Sequence, residues 1–170
     1  MLKRVNGIYT EYEDSAILIY KGIPFTGVKY FTYPNGQIQK ERSYYEGRET
    51  GFDRSWYPNG VLKHEIPKIS SSSIIETWKE WYSNKQLKTE GFKEHGVTIK
   101  SKTCNEDGEL IEEWEFPQNE SEPIYQYLQM LRKDFSEHPP DFLEFEKKIE
   151  EYLAKYPSDN VYYEKDFVEQ

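Results

Sequence analysis

Residue types that commonly carry chemistry are few in this chain and widely scattered. The three histidines, His64, His95 and His138, stand in unrelated contexts, and no two of them have the i, i+4 spacing of a helical zinc site. Every glycine fits a turn or a bulge, so no Gly-rich phosphate-binding loop is predicted. Aspartate and glutamate total 31, yet no pair stands out as a general acid and base. The sequence therefore predicts a protein that is not an enzyme, with no catalytic residue, no metal site and no cofactor.

The charge balance narrows the class of partner. Lysine and arginine total 22 against 31 acids, which gives a formal net charge of −9, so a nucleic acid backbone would be repelled. Residues 1–118 carry 16 basic and 18 acidic side chains, whereas residues 119–170 carry 6 and 13. The acidic excess lies mostly in the tail, and it favours a basic partner over direct binding to nucleic acid.

Cysteine content and hydropathy indicate the compartment. Cys104 is the single cysteine, so no disulfide forms within the chain, and this favours a reducing environment. The first residues lack the apolar run of a secretory signal, and no stretch reaches the roughly 20 apolar residues that a membrane span needs. We expect a cytoplasmic protein with no membrane span.

A repeat of about 24 residues dominates residues 1–118. The tetrapeptide Tyr-Pro-Asn-Gly occurs at 33–36 and again at 57–60, and related tetrapeptides follow at 82–85 and 105–108. Two residues after each turn stands an aliphatic residue, in the series Ile38, Leu62, Leu87 and Leu110. Five residues after each turn stands a glutamate, in the series Glu41, Glu65, Glu90 and Glu113. The chain therefore contains four copies of one structural unit.

The chemistry of the tetrapeptide predicts a β-hairpin. Proline presets φ for the second turn position, asparagine suits the third, and glycine adopts the positive φ of the fourth. Lys85 replaces that glycine in the third copy, which predicts either a different bend or local strain. Aromatic residues make up 16% of the chain and favour strands. We expect a mainly β fold, an elongated antiparallel sheet of successive hairpins.

Alternation along the strands predicts two different faces. One face, predicted to be the core, collects a row composed of Thr32, Trp56, Trp81, Cys104, Ile38, Leu62, Leu87 and Leu110. The other face carries Tyr33, Tyr57 and Tyr82 beside the four repeated glutamates. Two interpretations stay open for each column: the tyrosines either stiffen the sheet or bind a partner, and the glutamates either are solvated or pair with Lys40, Lys63 and Lys88, or bind a partner.

The tail, residues 119–170, has helical periodicity. Apolar residues at helical spacing predict one amphipathic helix between residues 124 and 135 and a second between 142 and 156, separated by Pro139 and Pro140. This acidic helical segment would pack on or beside the sheet as its cover. The second helix carries Glu144, Glu150 and Glu151 on its outer face, which either is solvated or recognises a partner.

The repeat resembles a known family. Tyr45-Glu46-Gly47 with Gly51, and the similar Tyr20-Lys21-Gly22 with Gly27, followed by Tyr-Pro-Asn-Gly-x-Leu/Ile-x-x-Glu, are similar to the bacterial MORN-variant repeat over roughly residues 20–116. The resemblance implies an antitoxin or immunity protein that binds a cognate toxin and blocks it sterically, the toxin being for instance a deaminase or nuclease with a basic surface. The alternative is a MORN-repeat scaffold or membrane-surface module, although the negative charge disfavours anionic lipid. The candidate partner-binding residues are Tyr33, Tyr57, Tyr82, Glu41, Glu65, Glu90, Glu113, Glu144, Glu150 and Glu151. Oligomeric state stays open.

Overall fold

The computed structural model describes residues 2–13, 17–68, 75–137, 151, 154 and 161–163. The strands are β1 (Leu2–Asn6), β2 (Glu11–Glu13), β3 (Ile17–Tyr20), β4 (Ile23–Pro24), β5 (Gly27–Thr32), β6 (Ile38–Tyr45), β7 (Arg48–Trp56), β8 (Leu62–Lys68), β9 (Ile75–Trp81), β10 (Leu87–Glu94), β11 (Val97–Cys104), β12 (Leu110–Glu115) and β13 (Val161–Tyr163). A 3₁₀ turn covers Gly7–Tyr9, and one α-helix, α1, covers Pro123–Glu137.

The main sheet has the order β12-β11-β10-β9-β8-β7-β6-β5-β1-β13. Neighbours from β5 to β12 are antiparallel and consecutive in sequence, whereas β1 lies parallel to both β5 and β13. Strands β2, β3 and β4 form a separate small antiparallel sheet. The predicted mainly β architecture of successive hairpins is confirmed.

The repeated tetrapeptides form the predicted turns. In the first, the Tyr33 amide donates to Gln37 O at 2.8 Å, the Gly36 amide donates to Tyr33 O at 2.9 Å, and Gly36 has φ of 82°. The same pair of hydrogen bonds recurs in the other three turns. Lys85 adopts φ of 75°, a conformation that costs a residue with a Cβ about 1–2 kcal/mol. Of the two alternatives left open by the sequence, the third hairpin keeps the same bend, and Lys85 adopts the strained conformation.

Tight turns at the opposite end of the sheet join successive hairpins. Glu46 and Gly47 have φ of 47° and 79°, and His95 and Gly96 have φ of 49° and 78°. Two consecutive positive φ values are the mark of a two-residue turn whose twist matches the flanking strands. Tyr45-Glu46-Gly47 and its counterpart Glu94-His95-Gly96 thus form the turns at the end opposite the Tyr-Pro-Asn-Gly turns.

The core is not where the sequence predicted it. The predicted pairings within the row are found, Thr32 with Ile38 and Trp56 with Leu62 among them. Within this row Cys104 is buried as predicted, but Thr32 and Leu110 are exposed and the remaining five residues are half-buried. Two clusters form the core instead, one of Val5, Leu18, Phe25 and Tyr44 and one of Val97, Phe116 and Leu128. The small sheet and α1 supply these contacts, which repeat patterning alone does not reveal.

A β-bulge beside each Tyr-Pro-Asn-Gly-type turn changes the face of the glutamates. Opposite Phe31 and Thr32, the partner strand pairs through Lys40 and Ile38 and passes over one residue. Equivalent shifts occur in the other three hairpins. An extra residue resets the alternation of side chains. Glu41 pairs with Tyr30 and therefore shares the face of Thr32, so placing the glutamate series on the opposite face was wrong.

Helix α1 docks on the end of the β10–β11 hairpin. Leu128 is buried against Val97 and Phe116, and Arg132 donates to both carboxylate oxygens of Glu94 at 2.7 Å. The described contacts place α1 beside the sheet and not over the row predicted to need a cover. The predicted second helix lies outside the described residues except at 151 and 154, which are both helical. No helix in the described part of the chain has the length and apolar character needed to cross a membrane.

Candidate functional site

The three repeated tyrosines link one turn to the next. Each hydroxyl donates to the backbone carbonyl that precedes the corresponding residue of the following turn: Tyr33 to Trp56 O at 2.8 Å, Tyr57 to Trp81 O at 3.0 Å and Tyr82 to Cys104 O at 3.0 Å. All three side chains are half-buried. Their hydroxyls therefore hold the array together, which gives a structural explanation for the column predicted to bind a partner.

The turn asparagines make a second, parallel set of links. Asn35 Nδ2 donates to Pro58 O at 3.2 Å, and Asn84 Nδ2 donates to Glu106 O at 2.8 Å. Each asparagine Oδ1 also accepts from the backbone amide two residues later, as in an Asx turn. We call the tyrosine and asparagine links together the turn ladder. It ends at the fourth turn, where Asn105 replaces tyrosine.

The repeated glutamates form half of an alternating row of charges. In the sheet register, each repeated glutamate lies opposite a cationic side chain of a neighbouring strand. This charge row runs from β6 to β12 through Glu41, Arg54, Glu65, Lys79, Glu90, Lys102 and Glu113. The cations of this row were not predicted, although each stands three residues before the first residue of a turn.

At the buried end of the charge row, a cation from outside the repeats pairs with the first glutamate. The first repeat has Tyr30 at the position of the cation, and Arg4 of β1 reaches over the Tyr30 ring to pair with Glu41. Arg54 lies 3.9 Å from the other oxygen of Glu41 and 2.5 Å from Glu65. Burial raises the pKa of Glu41 although both arginines lower it. Because Glu41 is buried between cations, its loss would leave uncompensated charge and destabilise the fold strongly.

At its other end the charge row is open to solvent. Glu90 lies 3.2 Å from Lys79 and 2.6 Å from Lys102, and the hydrogen bond from Lys102 is the main reason for its lowered pKa. Glu113 is exposed and has Lys100 at 3.8 Å. Pairs of this kind contribute about 0.2–1 kcal/mol each. Pairing with Lys40, Lys63 and Lys88, one of the alternatives left open, is wrong, because the ion pairs of Glu41, Glu65 and Glu90 are made with other cations.

A cationic pocket lies on the opposite face of the first hairpin. Lys29, Phe31, Lys40 and Arg42 line an open pocket of about 170 Å³. Lys29 pairs with Arg42 and Phe31 with Lys40 in the strand register. This cluster of cations was not predicted, because Lys29 lies opposite Arg42 only when the bulge is included in the pairing.

Large apolar side chains are exposed on β12 and on α1, although Leu110 and Trp114 lie on opposite faces of the strand. Trp114 of β12 is 43% exposed and Tyr127 of α1 is 51% exposed. A ring contact of 6.1 Å between Phe116 and Tyr125 joins the end of β12 to the first turn of α1. We define the C-terminal surface as Leu110, Ile111, Trp114, Ile124, Tyr127 and Met130, all of which are exposed. This surface was not predicted, because Leu110 was assigned to the core.

The remaining predicted site residues belong to the tail. Glu144 and Glu150 lie outside the described residues, and Glu151 is helical and exposed.

His64 Nδ1 lies 3.9 Å from Glu80, and the His95 ring contacts Phe135 at 5.3 Å between centroids. Within the described ranges, no group of three or more His, Cys, Asp or Glu side chains has the arrangement of a metal site.

Family models, curated proteins and solved structures were each compared with the chain, and none of the three comparisons found a match.

Proposed function

We propose that this chain is an immunity protein of the MORN-variant type, which binds a cognate bacterial toxin in the cytoplasm and neutralises it sterically. The resemblance of the repeats implies the biological class. The structural observation that carries the proposal is the C-terminal surface, a set of large apolar side chains left in solvent at one end of the array. Large apolar side chains exposed on and beside an edge strand are candidates for contact with another macromolecule.

The composition of the C-terminal surface suits a protein partner. Trp114, Tyr127 and Met130 are of the types enriched at protein interfaces, and tryptophan and tyrosine supply most hot spots. Leu110 and Ile111 are 57% and 64% exposed on β12, the edge strand of the sheet. Burying such side chains is worth about 1.5–3 kcal/mol each before association costs are subtracted. This surface supports a specific complex better than the tyrosines of the turn ladder, whose hydroxyls already have partners.

Charge along β12 favours a basic partner. Acidic side chains flank its apolar residues, namely Glu109, Glu112, Glu113 and Glu115. None of the described strands pairs with the outer edge of β12. The backbone N–H and C=O groups on that edge can therefore form hydrogen bonds with an added strand. A second copy of this acidic edge would be repelled, whereas a basic segment of a toxin would be attracted and steered to it.

The proposed mechanism is occupancy. A toxin that acts on nucleic acid needs a basic groove for its substrate, and an acidic edge bound in or beside that groove would exclude the substrate. No residue of this chain has to perform chemistry in such a mechanism.

The test is a paired substitution on α1 with a matched control. Tyr127→Ala with Met130→Ala removes two exposed side chains of the C-terminal surface, whereas Ile8→Ala with Tyr9→Ala removes two exposed side chains near the N-terminus. Both variants should keep the circular dichroism spectrum of the parent protein. The first should lose co-purification with the protein encoded beside it and lose growth rescue, while the second should retain both.

Two results would contradict the proposal. If the parent protein neither binds nor protects against that neighbour, the immunity function is wrong. If light scattering shows concentration-dependent polymers of the isolated chain, the scaffold function is favoured instead.

A further inference from the structure

Lys29 is a buried ammonium group surrounded by aromatic rings. The residue is 8% exposed, and its Nζ lies 4.5 Å from the centroid of Tyr12, 5.2 Å from that of Tyr44 and 6.0 Å from that of Phe31. It donates to Tyr12 Oη at 2.8 Å. Among the described residues, no carboxylate lies within ion-pair distance of it. Ring faces stabilise a cation only partly, so this charge is incompletely compensated.

Two further cations share the pocket with Lys29. Arg42 Nε lies 2.7 Å from Asp53 Oδ2, and Lys40 Nζ lies 3.6 Å from Asp53 Oδ1. Arg42 also pairs with Glu49. The cluster therefore contains three cations and two carboxylates, an excess of one positive charge in a chain whose formal net charge is −9.

Asp53 fixes these cations in place. It is 5% exposed, and its Oδ1 makes no hydrogen bond although it is buried. Lys40 and Arg42 remain partly open to solvent, with side chains 40% and 30% exposed. The cationic groups thus border the cavity, and the exposed ring of Phe31 forms an apolar wall beside them.

The field of Lys29 already stabilises negative charge at a neighbouring oxygen. Burial raises the pKa of Tyr12, but its hydrogen bonds with Lys29 and Tyr44 and the charge of Lys29 lower it by more, so the net pKa lies below the ordinary value. Tyr44 behaves oppositely, because burial and its hydrogen bond with Tyr12 raise its pKa.

We propose that the pocket lined by Lys29, Phe31, Lys40 and Arg42 binds a small carboxylate that carries a planar apolar body. The carboxylate contacts the cations and neutralises the single excess charge, and the apolar body lies against Phe31. A cavity of about 170 Å³ is close in volume to one of about 150 Å³ that holds benzene, so it has room for the ring of an aromatic acid. This site does not depend on the proposed toxin binding, because it lies on the first hairpin.

The test is a titration of the isotopically labelled full chain with benzoate, followed by NMR. Saturable shifts are expected at the amides of the pocket residues. Lys40→Gln should weaken binding about tenfold or more, the loss of one charged hydrogen bond. Lys63→Gln is the matched control, since Lys63 is an exposed lysine outside the pocket, and it should leave the affinity unchanged.

A second variant separates binding from folding. Lys29→Met removes the buried charge and keeps the length of the side chain, so it should abolish binding without lowering stability. The proposal is overturned if benzoate shifts do not saturate, if they map elsewhere, or if Lys40→Gln binds as the parent does. Tighter binding of inorganic phosphate than of benzoate would overturn the assignment to a carboxylate with an apolar body.

Discussion

Replacing the tyrosines of the turn ladder by phenylalanine tests whether they serve stability or binding. Tyr57→Phe deletes the hydroxyl that donates to Trp81 O at 3.0 Å and keeps the half-buried ring. The net value of such a hydrogen bond is about 0.5–1.5 kcal/mol. In a chain of this length the melting temperature should fall by about 1–6 °C. Tyr33→Phe and Tyr82→Phe should act alike, because their hydroxyls make the same contact.

The triple variant makes the test sharper. Successive tyrosines lie two strands apart, about 9.5 Å, so their effects should add to about 1.5–4.5 kcal/mol in urea denaturation. Tyr127→Phe on the exposed side of α1 is the control and should change stability by less than about 0.5 kcal/mol. If the proposed immunity function is correct, affinity for the toxin should be unchanged in the triple variant. Unaltered stability together with lost toxin binding would refute the structural role and restore the tyrosine column as the binding site.

Two further predictions concern backbone strain and pH. Lys85→Gly should raise the free energy of unfolding by about 1 kcal/mol in urea denaturation, because it relieves a positive φ of 75°. Gly60→Lys, at the equivalent turn position with φ of 82°, should lower the free energy of unfolding by a comparable amount in the same assay. No change in either variant would show that these turns carry no strain. The hydrogen bond from Arg132 lowers the pKa of Glu94. This pair therefore stabilises the docking of α1 fully above pH 4.5, the ordinary pKa of glutamate. The stabilisation is lost as pH falls through the lower pKa that Glu94 has in the folded state. The protection factors of the amides in the β10–β11 turn, which are corrected for the slower intrinsic exchange in acid, should therefore fall at low pH. Arg132→Gln should remove that fall, and an identical profile in the variant would assign the acid response to other groups.

The turns could be predicted because their chemistry is local. Proline, asparagine and glycine at fixed offsets specify the backbone conformation of four residues, and Gly36 and Gly60 have the positive φ that this reasoning requires. The period and the pairing of Thr32 with Ile38 follow from the same local signal. Local rules therefore established the hairpins and their order.

The faces could not be predicted because one inserted residue decides them. The sequence does not mark the bulge residue beside each turn, which is Gln39 in the first hairpin and Lys63 in the second. Passing over that residue moves Glu41 and Glu65 to the other face, as a one-residue slip does in any strand. Long-range contacts were equally hidden, since Arg4 meets Glu41 only when β1 lies beside β5.

The two ends of the charge row differ, and the difference bears on where a partner would bind. At the N-terminal end Arg4 supplies the cation that the first repeat lacks, so Glu41 contacts two arginines and is buried. At the C-terminal end the row stops at Glu113 on the edge strand. Glu113 is exposed, with Lys102 opposite it in the sheet register and Lys100 at 3.8 Å. Repeat arrays need terminal elements that complete the last unit. The first end has such an element in β1, whereas the described residues place none along β12. A basic residue on an added strand would continue the alternation at Glu113, and this is the edge that the proposed toxin contact uses.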